Sequence, residues 1–338
     1  MSGVPTGLEV VKPGLLSSFQ TLGRTGWQAS GMPVCGAMDA LAHTLANTLV
    51  GNPADEATLE ITLMGPSLRT DRDCVVALAG ADLGATLHMD SAAEPVPVPL
   101  LQPVLWPAGA LLQFGRRRAG LRAYLALAGG YGLPAMMGSR STYLRGGLGG
   151  YQGRALRKGD LLPLPDTVLP AAPVAVGGAA AALLHGLLER GAGSTIRFVE
   201  GPEWAQFTEA SRHSLVSGDY RIGTQSDRMG YRLEATTTPA LERSAPVDML
   251  SEAVAFGTVQ VPPDGQPIVL MADRQTSGGY PRIAQVASVD LPLLAQRMPG
   301  DTLRLEPITL AAAQHLLLRR ATALADLRRA LFPESAFD

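Results

Sequence analysis

The chain has 338 residues, of which 46% are apolar and 17% charged, the balance of a folded globular protein rather than a disordered or fibrous one. Its 28 basic and 30 acidic residues leave a net charge of −2, so no basic field exists to hold nucleic acid or an anionic membrane. No window reaches the ~18 apolar residues of a membrane span, and "MSGVPTGLEVVKPG" lacks the charged and apolar regions of a signal peptide, so the expected compartment is the cytoplasm.

Apolar runs bounded by Gly, Pro and Asp predict strands at 7–11, 59–64, 75–79, 110–114 and 122–127, then at 195–199, 253–261, 267–271, 283–288 and 302–305. Helical spacing is clear in three places. Met38, Leu41, Leu45 and Leu49 form a stripe on a helix over 37–50 that Gly51-Asn52 closes; Ala/Leu stretches predict helices at 178–190 and 309–332. Short strands separated by short turns argue for barrels or sandwiches rather than βαβ units.

The second half of the chain repeats the first weakly but in order. A shift of 188 lays Leu8, Val10 and Phe19 on Ile196, Phe198 and Phe207; a shift of 192 lays "LEITLMGPSLR" on "SEAVAFGTVQV" and "VVALAGA" on "PIVLMAD"; a shift of 191 lays "WPAGALLQF" over "MPGDTLRL". The expected architecture is mainly β with a few helices: two β-barrel domains related by internal duplication, at 1–165 and 196–308. A linker with a short helix over 166–195 joins them, and 309–338 forms a C-terminal helix and tail.

Several common machines are missing. The only lysines, Lys12 and Lys158, do not sit in a Gly-Lys-Ser/Thr phosphate loop, and there is no Gly-x-Ser-x-Gly, His-Glu-x-x-His or Ser-x-x-Lys. Five scattered histidines predict no metal site, and His43 on the 37–50 helix reads as structural. Cys35 and Cys74 form no Cys-x-x-Cys. In "RGGLGGYQGRALRKGD" (145–160) the third glycine of a dinucleotide fingerprint is lacking, so these glycines let backbone approach a strand or a ligand, and Arg154 is positioned to pair with Asp160. "GSRST" (138–142) is either a carboxylate clamp built on Ser139 and Arg140 or a hydrogen-bonded loop. Arg24, Asp39 and Asn47 either line a further site or tie down the 37–50 helix.

The richest stretch is "MADRQTSGGYP" (271–281). Its counterpart in the first half, "GADLGATL" (80–87), is a lean turn, whereas here a buried strand runs into Asp273, Arg274, Gln275, Thr276, Ser277, Gly278, Gly279 and Tyr280. Polar groups on a glycine-bearing loop held by rigid strands are a usual way to present a site.

These segments, with "GRTGWQASGMPVCGAMD" (23–39), "ANTLVGN" (46–52), "SDRMGYRL" (226–233), "GTVQVPPDGQPIVL" (257–270) and "AQRMPGD" (295–301), resemble the biotin-dependent carboxyltransferase, or allophanate hydrolase subunit 2, family. That family includes the C subunit of bacterial 5-oxoprolinase, the antagonist of the sporulation-kinase inhibitor, and part of the carboxyltransferase region of urea carboxylase. The resemblance runs from about residue 8 to 306; Ser277 and Cys35 stand where the family more often has Thr and Ser.

The resemblance implies paired cyclophilin-like barrels and a sister chain of related fold (a B subunit, kinase-inhibitor-like), with a third partner in 5-oxoprolinase. It implies ATP-dependent opening of 5-oxoproline to glutamate by the complex; with no phosphate loop in this chain, ATP is met in another way or through a partner. The alternatives are a biotin-dependent carboxyltransferase component acting on urea or a related amide, and a non-catalytic regulator that binds the sister chain. Residue chemistry assigns expected roles at the motif positions. Asp273, Gln275, Thr276, Tyr280 and Arg228 are the expected catalytic residues; Gln260, Arg274, Ser277, Gly278, Gly279, Ser139 and Arg140 are expected to bind substrate. Gly278 and Gly279 offer N–H donors, Arg228 or Arg274 a charge clamp, and Asp273 an acceptor oriented by Gln260 and Gln275. Tyr280 offers a proton or a carboxylate contact.

Overall fold

The computed structural model describes residues 7–90, 94–165, 172–189, 193–245 and 249–333. Parts of the expected linker and tail, at 166–171, 190–192 and 334–338, lie outside the described residues. The chain divides into two compact units. Unit 1 comprises residues 1–24, 35–187 and 323–338, and unit 2 comprises 25–34 and 188–322. Among the described residues no helix is long and apolar enough to cross a membrane.

Unit 1 holds strands β1 (Leu8–Lys12), β2 (Leu16–Gln20), β3 (Thr58–Thr62), β4 (Ser67–Thr70), β5 (Cys74–Asp82), β6 (Thr86–His88), β7 (Val96–Pro97), β8 (Val104–Trp106), β9 (Leu111–Gln113), β10 (Ala119–Leu127) and β11 (Leu161–Leu162). They form a six-stranded sheet, β11-β1-β4-β9-β6-β7, and a five-stranded sheet, β2-β3-β10-β5-β8. The run "CVVALAGA" is apolar throughout because β5 is buried on both faces. Cys74, Val76 and Leu78 join Leu8, Leu59, Trp106 and Leu125 in one core, while Val75, Ala77 and Ala79 face Leu45, Ala46 and Leu49 of helix α1 (Ala40–Leu49) in another. The alanines keep that face low enough for the helix to lie close. Asp39 starts α1, accepting the Ala42 N–H at 2.9 Å.

Helix α2 (Gly178–Leu188) contributes Ala180 and Leu184 to the same second core. Unit 2 contains helices α3 (Glu209–Ser217) and α4 (Leu291–Ala295), and the long helix α5 (Leu310–Leu331) begins in it. The C-terminal part of α5 belongs to unit 1, where Leu327 and Leu331 complete the α1 core.

The strands of unit 2 are β12 (Thr195–Glu200), β13 (Asp219–Ile222), β14 (Gly230–Ala235), β15 (Glu252–Ala253), β16 (Thr258–Gln260), β17 (Ile268–Leu270), β18 (Ser277–Gly278), β19 (Arg282–Val286) and β20 (Thr302–Pro307). Seven close a barrel in the order β12-β19-β16-β17-β14-β13-β20, with β12 and β20 running parallel. Alternation fills it: Ile196 and Phe198, Tyr220 and Ile222, Tyr231 and Leu233, and Leu303 and Leu305 are all buried. Charges between them stay outside, where Arg221 meets Glu234 at 2.8 Å and Arg304 meets Asp219 at 2.6 Å.

The expected mainly β fold with a few helices is therefore observed, and all three predicted helices are present. One predicted strand differs. Residues 253–261 do not run straight: the chain turns at Gly257 (φ +86°), so β16 stays in the barrel while β15 leaves it to pair with β18. The strands matched by the repeat also pair differently. β4 and β5 lie in separate sheets, whereas β16 and β17 are neighbours, so the self-match follows strand content rather than pairing order.

Candidate functional site

Strand β17 carries the chain from the barrel into the polar loop. Met271 and Ala272 are still fully buried, and their backbone runs beside the approach to β14: the Met271 N–H donates to Met229 O at 2.9 Å and the Asp273 N–H to Arg228 O at 2.8 Å. That register brings two side chains 45 residues apart face to face. Arg228 Nε and Nη2 each donate to one carboxylate oxygen of Asp273 at 2.9 Å, with both side chains under 8% exposed. The planar fork of Arg matches a carboxylate in this bidentate geometry. The orientation of Asp273 therefore comes from Arg228 rather than from Gln260 or Gln275, the residues expected to set it. Arg274 turns back over its own loop, its Nη1 donating to Met271 O at 3.4 Å and its Nε to Val254 O at 3.5 Å, with the guanidinium over Phe256. Neither arginine is presented to solvent as a bare clamp.

Beyond Asp273 the loop is held as a two-stranded flap. Thr276 O accepts the Val254 N–H, and β18 pairs with β15, Gly278 opposite Glu252 and Ser277 opposite Ala253. Gln260, buried on β16, donates through Nε2 to Tyr280 O at 3.1 Å. Its amide lies so close to Gly278 that a Cβ there would come 2.7 Å from Nε2. The glycine serves this approach, not a left-handed turn. Gly278→Ala is accordingly expected to push Gln260 aside and break its bond to Tyr280, costing about 1–2 kcal/mol. A urea titration of the variant checks this, and a wild-type midpoint would show that the amide can move without loss.

Arg282 locks the flap from beneath, a part of the site not anticipated from the sequence. Its Nε and Nη2 donate to the two oxygens of buried Glu203 at 2.9 and 2.8 Å, its backbone N–H adds a third bond at 2.8 Å, Nη2 also reaches Glu252, and Nη1 reaches Ala253 O. These bonds hold the Glu203 carboxyl below its usual range and raise Arg282 further. Arg282 follows the motif directly, but Glu203 lies 79 residues away in an unremarkable stretch, and nothing local in the sequence marks it.

Facing outward are Gln275, Ser277 and Tyr280, the last 48% exposed. Gly279, Tyr280 and Pro281 border a cleft of about 770 Å³ within unit 2. Its other walls are Phe207, Leu241, Met249, Val261, Pro262 and Pro263, with Glu242 and Arg243 as the charged members among the described residues. The size is that of a small-ligand cleft. A buried ion pair thus anchors the loop, Gln260 and Arg282 shape it, and its Gly279–Pro281 end borders the cleft.

Ser139 and Arg140 belong to unit 1. Ser139 is buried and shares its hydroxyl with Thr21 at 2.9 Å and with the Ser141 N–H at 3.0 Å; Arg140 donates to Leu133 O at 2.9 Å and meets Glu56 at 3.4 Å. Residues 138–142 are therefore a hydrogen-bonded loop, and the clamp alternative loses its arginine to Glu56. Arg24 ties into the same loop through Ser141 O at 2.8 Å. The glycine stretch folds down on it: Gly149 (φ +67°) lies where a Cβ would meet Arg24 Nη2 at 2.7 Å. Arg154 and Asp160 pair as anticipated, with bonds of 2.7 and 2.8 Å that lower the Asp160 carboxyl below its usual range. Asn47 donates to Glu56 O at 2.7 Å, so with Asp39 it secures α1.

A closed β-barrel presenting this loop, in a chain with a second β-rich unit, defines a class. Residues 30–307 match the model of the carboxyltransferase domain, subdomains A and B, and the chain belongs to that family. Within it, the chain is 37% identical over 306 residues to the C subunit of 5-oxoprolinase from Escherichia coli (strain K12), a match covering 90% of this chain and 93% of that protein. The corresponding C subunit from Haemophilus influenzae is 36% identical over 313 residues, 93% of this chain and 95% of that one. The crystal structure of Kluyveromyces lactis urea amidolyase superposes on 97% of this chain with a TM-score of 0.84 at 28% identity, and the chain spans 20% of that protein's length. The resemblance read from the motifs is thereby borne out.

Proposed function

We propose that this chain is the C subunit of an ATP-dependent 5-oxoprolinase, opening the lactam of 5-oxoproline to glutamate together with sister subunits. The co-linear match to the C subunits of 5-oxoprolinases, over 90% of this chain and 93% of the Escherichia coli protein, is the observation that supports this function. Opening the lactam adds water to the ring carbonyl, breaks the C–N bond and leaves a carboxylate and a protonated amine. Negative charge develops on the carbonyl oxygen, where prealigned donors stabilise it most. In this proposal the Gly279 backbone and the Tyr280 hydroxyl supply donors at the cleft, Gly278 keeps the flap paired to Glu252, and Gln275, Thr276 and Ser277 position the ring. Asp273, fixed by Arg228, takes the lactam N–H through a lone pair that Arg228 leaves open.

ATP supplies the free energy and the phosphoryl group that activate so stable an amide. The residues of this chain do not fit it: there is no Gly-Lys-Ser/Thr loop, and the glycine stretch at 145–160 packs on Ser141 and Arg24 instead of opening as a cradle. We therefore assign ATP to a sister subunit.

A second function, biotin-dependent carboxyl transfer to a urea-like amide, draws support from the TM-score of 0.84 to urea amidolyase. Biotin would then arrive on a separate carrier, because this sequence has no Ala/Met-Lys-Met acceptor. The discriminating measurement is ADP release by the chain co-expressed with its neighbouring subunits, with and without 5-oxoproline. Stimulation by 5-oxoproline that vanishes when this chain is omitted supports the hydrolase function. An assembled complex that shows no stimulation sinks it, and sensitivity to avidin then favours carboxyl transfer.

A further inference from the structure

We infer that unit 1 holds a buried subsite for one small planar oxyanion, of the formate, bicarbonate or nitrate type, on the guanidinium of Arg24. The subsite does not depend on the proposed reaction. Arg24 is 1% exposed. Its Nε donates to Met136 O at 3.3 Å and its Nη2 to Ser141 O at 2.8 Å, while Nη1 has no hydrogen-bond partner among the described residues. Both acceptors are neutral carbonyls, and among the described residues no carboxylate pairs with this cation. The other deeply buried arginines differ: Arg228 faces Asp273, and Arg122 lies beside Glu60. A buried cation needs a counter-charge, because the interior solvates it far less well than water does.

The surroundings are rich in donors. Thr21 Oγ1 lies 2.9 Å from Ser139 Oγ and 3.0 Å from Ser141 Oγ. Each of these oxygens already accepts a backbone N–H: Thr21 from Gly23, Ser139 from Ser141, and Ser141 from Thr21. Three hydroxyl hydrogens share two oxygen–oxygen contacts, so one hydroxyl hydrogen is left to donate elsewhere. Ser141 joins this cluster to the cation, since its carbonyl takes the Nη2 bond. The unused Nη1, next to Nη2 on one edge of a planar fork, suits two oxygens of a single anion. Size is set by Gly149, where a Cβ would lie 2.7 Å from Nη2 and 2.2 Å from Ser141 O. Backbone that close excludes a ring or a nucleotide. The way in is the exposed hairpin at 136–139, bonded to the Nε edge and turning through Met137 at φ +52°, a left-handed conformation that side chains rarely adopt.

Urea unfolding of the full chain tests the subsite, with sodium formate or sodium nitrate replacing chloride at constant ionic strength. Both anions should stabilise saturably, and at about 100 times Kd the folded-to-unfolded ratio should rise about 100-fold. Butyrate, too large for the subsite, should leave the midpoint where chloride leaves it. Arg24→Gln should lose the response whatever its starting stability, and Arg24→Lys, which keeps the charge without the fork, should retain part of it. A response that is linear in salt, that butyrate reproduces, or that Arg24→Gln keeps in full overturns the inference. If Arg24→Gln does not fold, hydrogen exchange in wild type decides. Formate at about 10 times Kd should slow exchange of the Ser139 and Ser141 amides about 10-fold, and equal rates in formate and chloride overturn the subsite.

Discussion

Replacing Asp273 by alanine is expected to lower the stability of the chain by about 3–5 kcal/mol and to abolish turnover. The carboxylate is buried with Arg228 in a two-bond pair at 2.9 Å, and removing it strips the guanidinium of this counter-charge where water barely reaches. Stability and chemistry separate in the double variant Arg228→Met/Asp273→Leu. Apolar residues of similar volume in place of a buried ion pair are tolerated or even stabilising, so the double variant should recover most of the lost stability. Turnover should not return with it, because the acceptor at 273 is gone. Urea unfolding of the single and double variants gives the first quantity, and 5-oxoproline-stimulated ADP release by the complex gives the second. An Asp273→Ala chain as stable as wild type would show that the pair is not shielded in solution. A double variant with wild-type turnover would remove Asp273 from the site.

The second large effect is on pH dependence. His43 lies on α1 with no exposed surface, its Nδ1 bonded to Thr58 Oγ1 at 2.7 Å and its ring against Tyr124. Burial pushes its pKa from the ordinary 6.5 down to about 4. The folded chain therefore refuses a proton that the unfolded chain accepts. Above pH 6.5 the imidazole is neutral in both states and its contribution to stability is complete. Between pH 6.5 and 4 that contribution falls by about 1.4 kcal/mol per pH unit, and below pH 4 no more is lost. The total is about 3 kcal/mol over this window. Glu203 and Asp160, whose pKa values are lowered by Arg282 and Arg154, have unfolded values of 4.5 and 3.8, so their contributions fade mainly at lower pH. His43→Gln, which keeps a hydrogen-bonding group near Thr58, should flatten the curve over the upper part of the window. Parallel unfolding curves for variant and wild type across that range would rule out the buried neutral histidine as the cause of the slope.

Much of the molecule is written locally. "TIRFVE" and "TLRLEP" alternate with period two because each lines a barrel with every second residue. "CVVALAGA" drops the alternation because β5 is covered on both faces. The stripe Leu41, Leu45 and Leu49 places α1, and the density of polar groups between Asp273 and Tyr280 sets the loop apart as the candidate site. Strands β13 and β14 carry the same alternation in "DYRI" and "GYRLEA", but arginines at the outer positions dilute the apolar signal on which strand prediction relies.

Periodicity and composition in this sequence determined the strand-rich class, the helices and the position of the polar loop, since each depends on a few neighbouring residues and on which faces are buried. Only the tertiary structure decided that Asp273 belongs to Arg228, that Arg282 belongs to Glu203, and that β15 leaves the barrel to hold β18. It alone brought Arg243 to the cleft that Tyr280 borders. The two ion pairs span 45 and 79 residues of chain. What joins them is strand register around the barrel: shifting one strand by a single residue turns its side chains to the opposite face, and no local propensity records that choice.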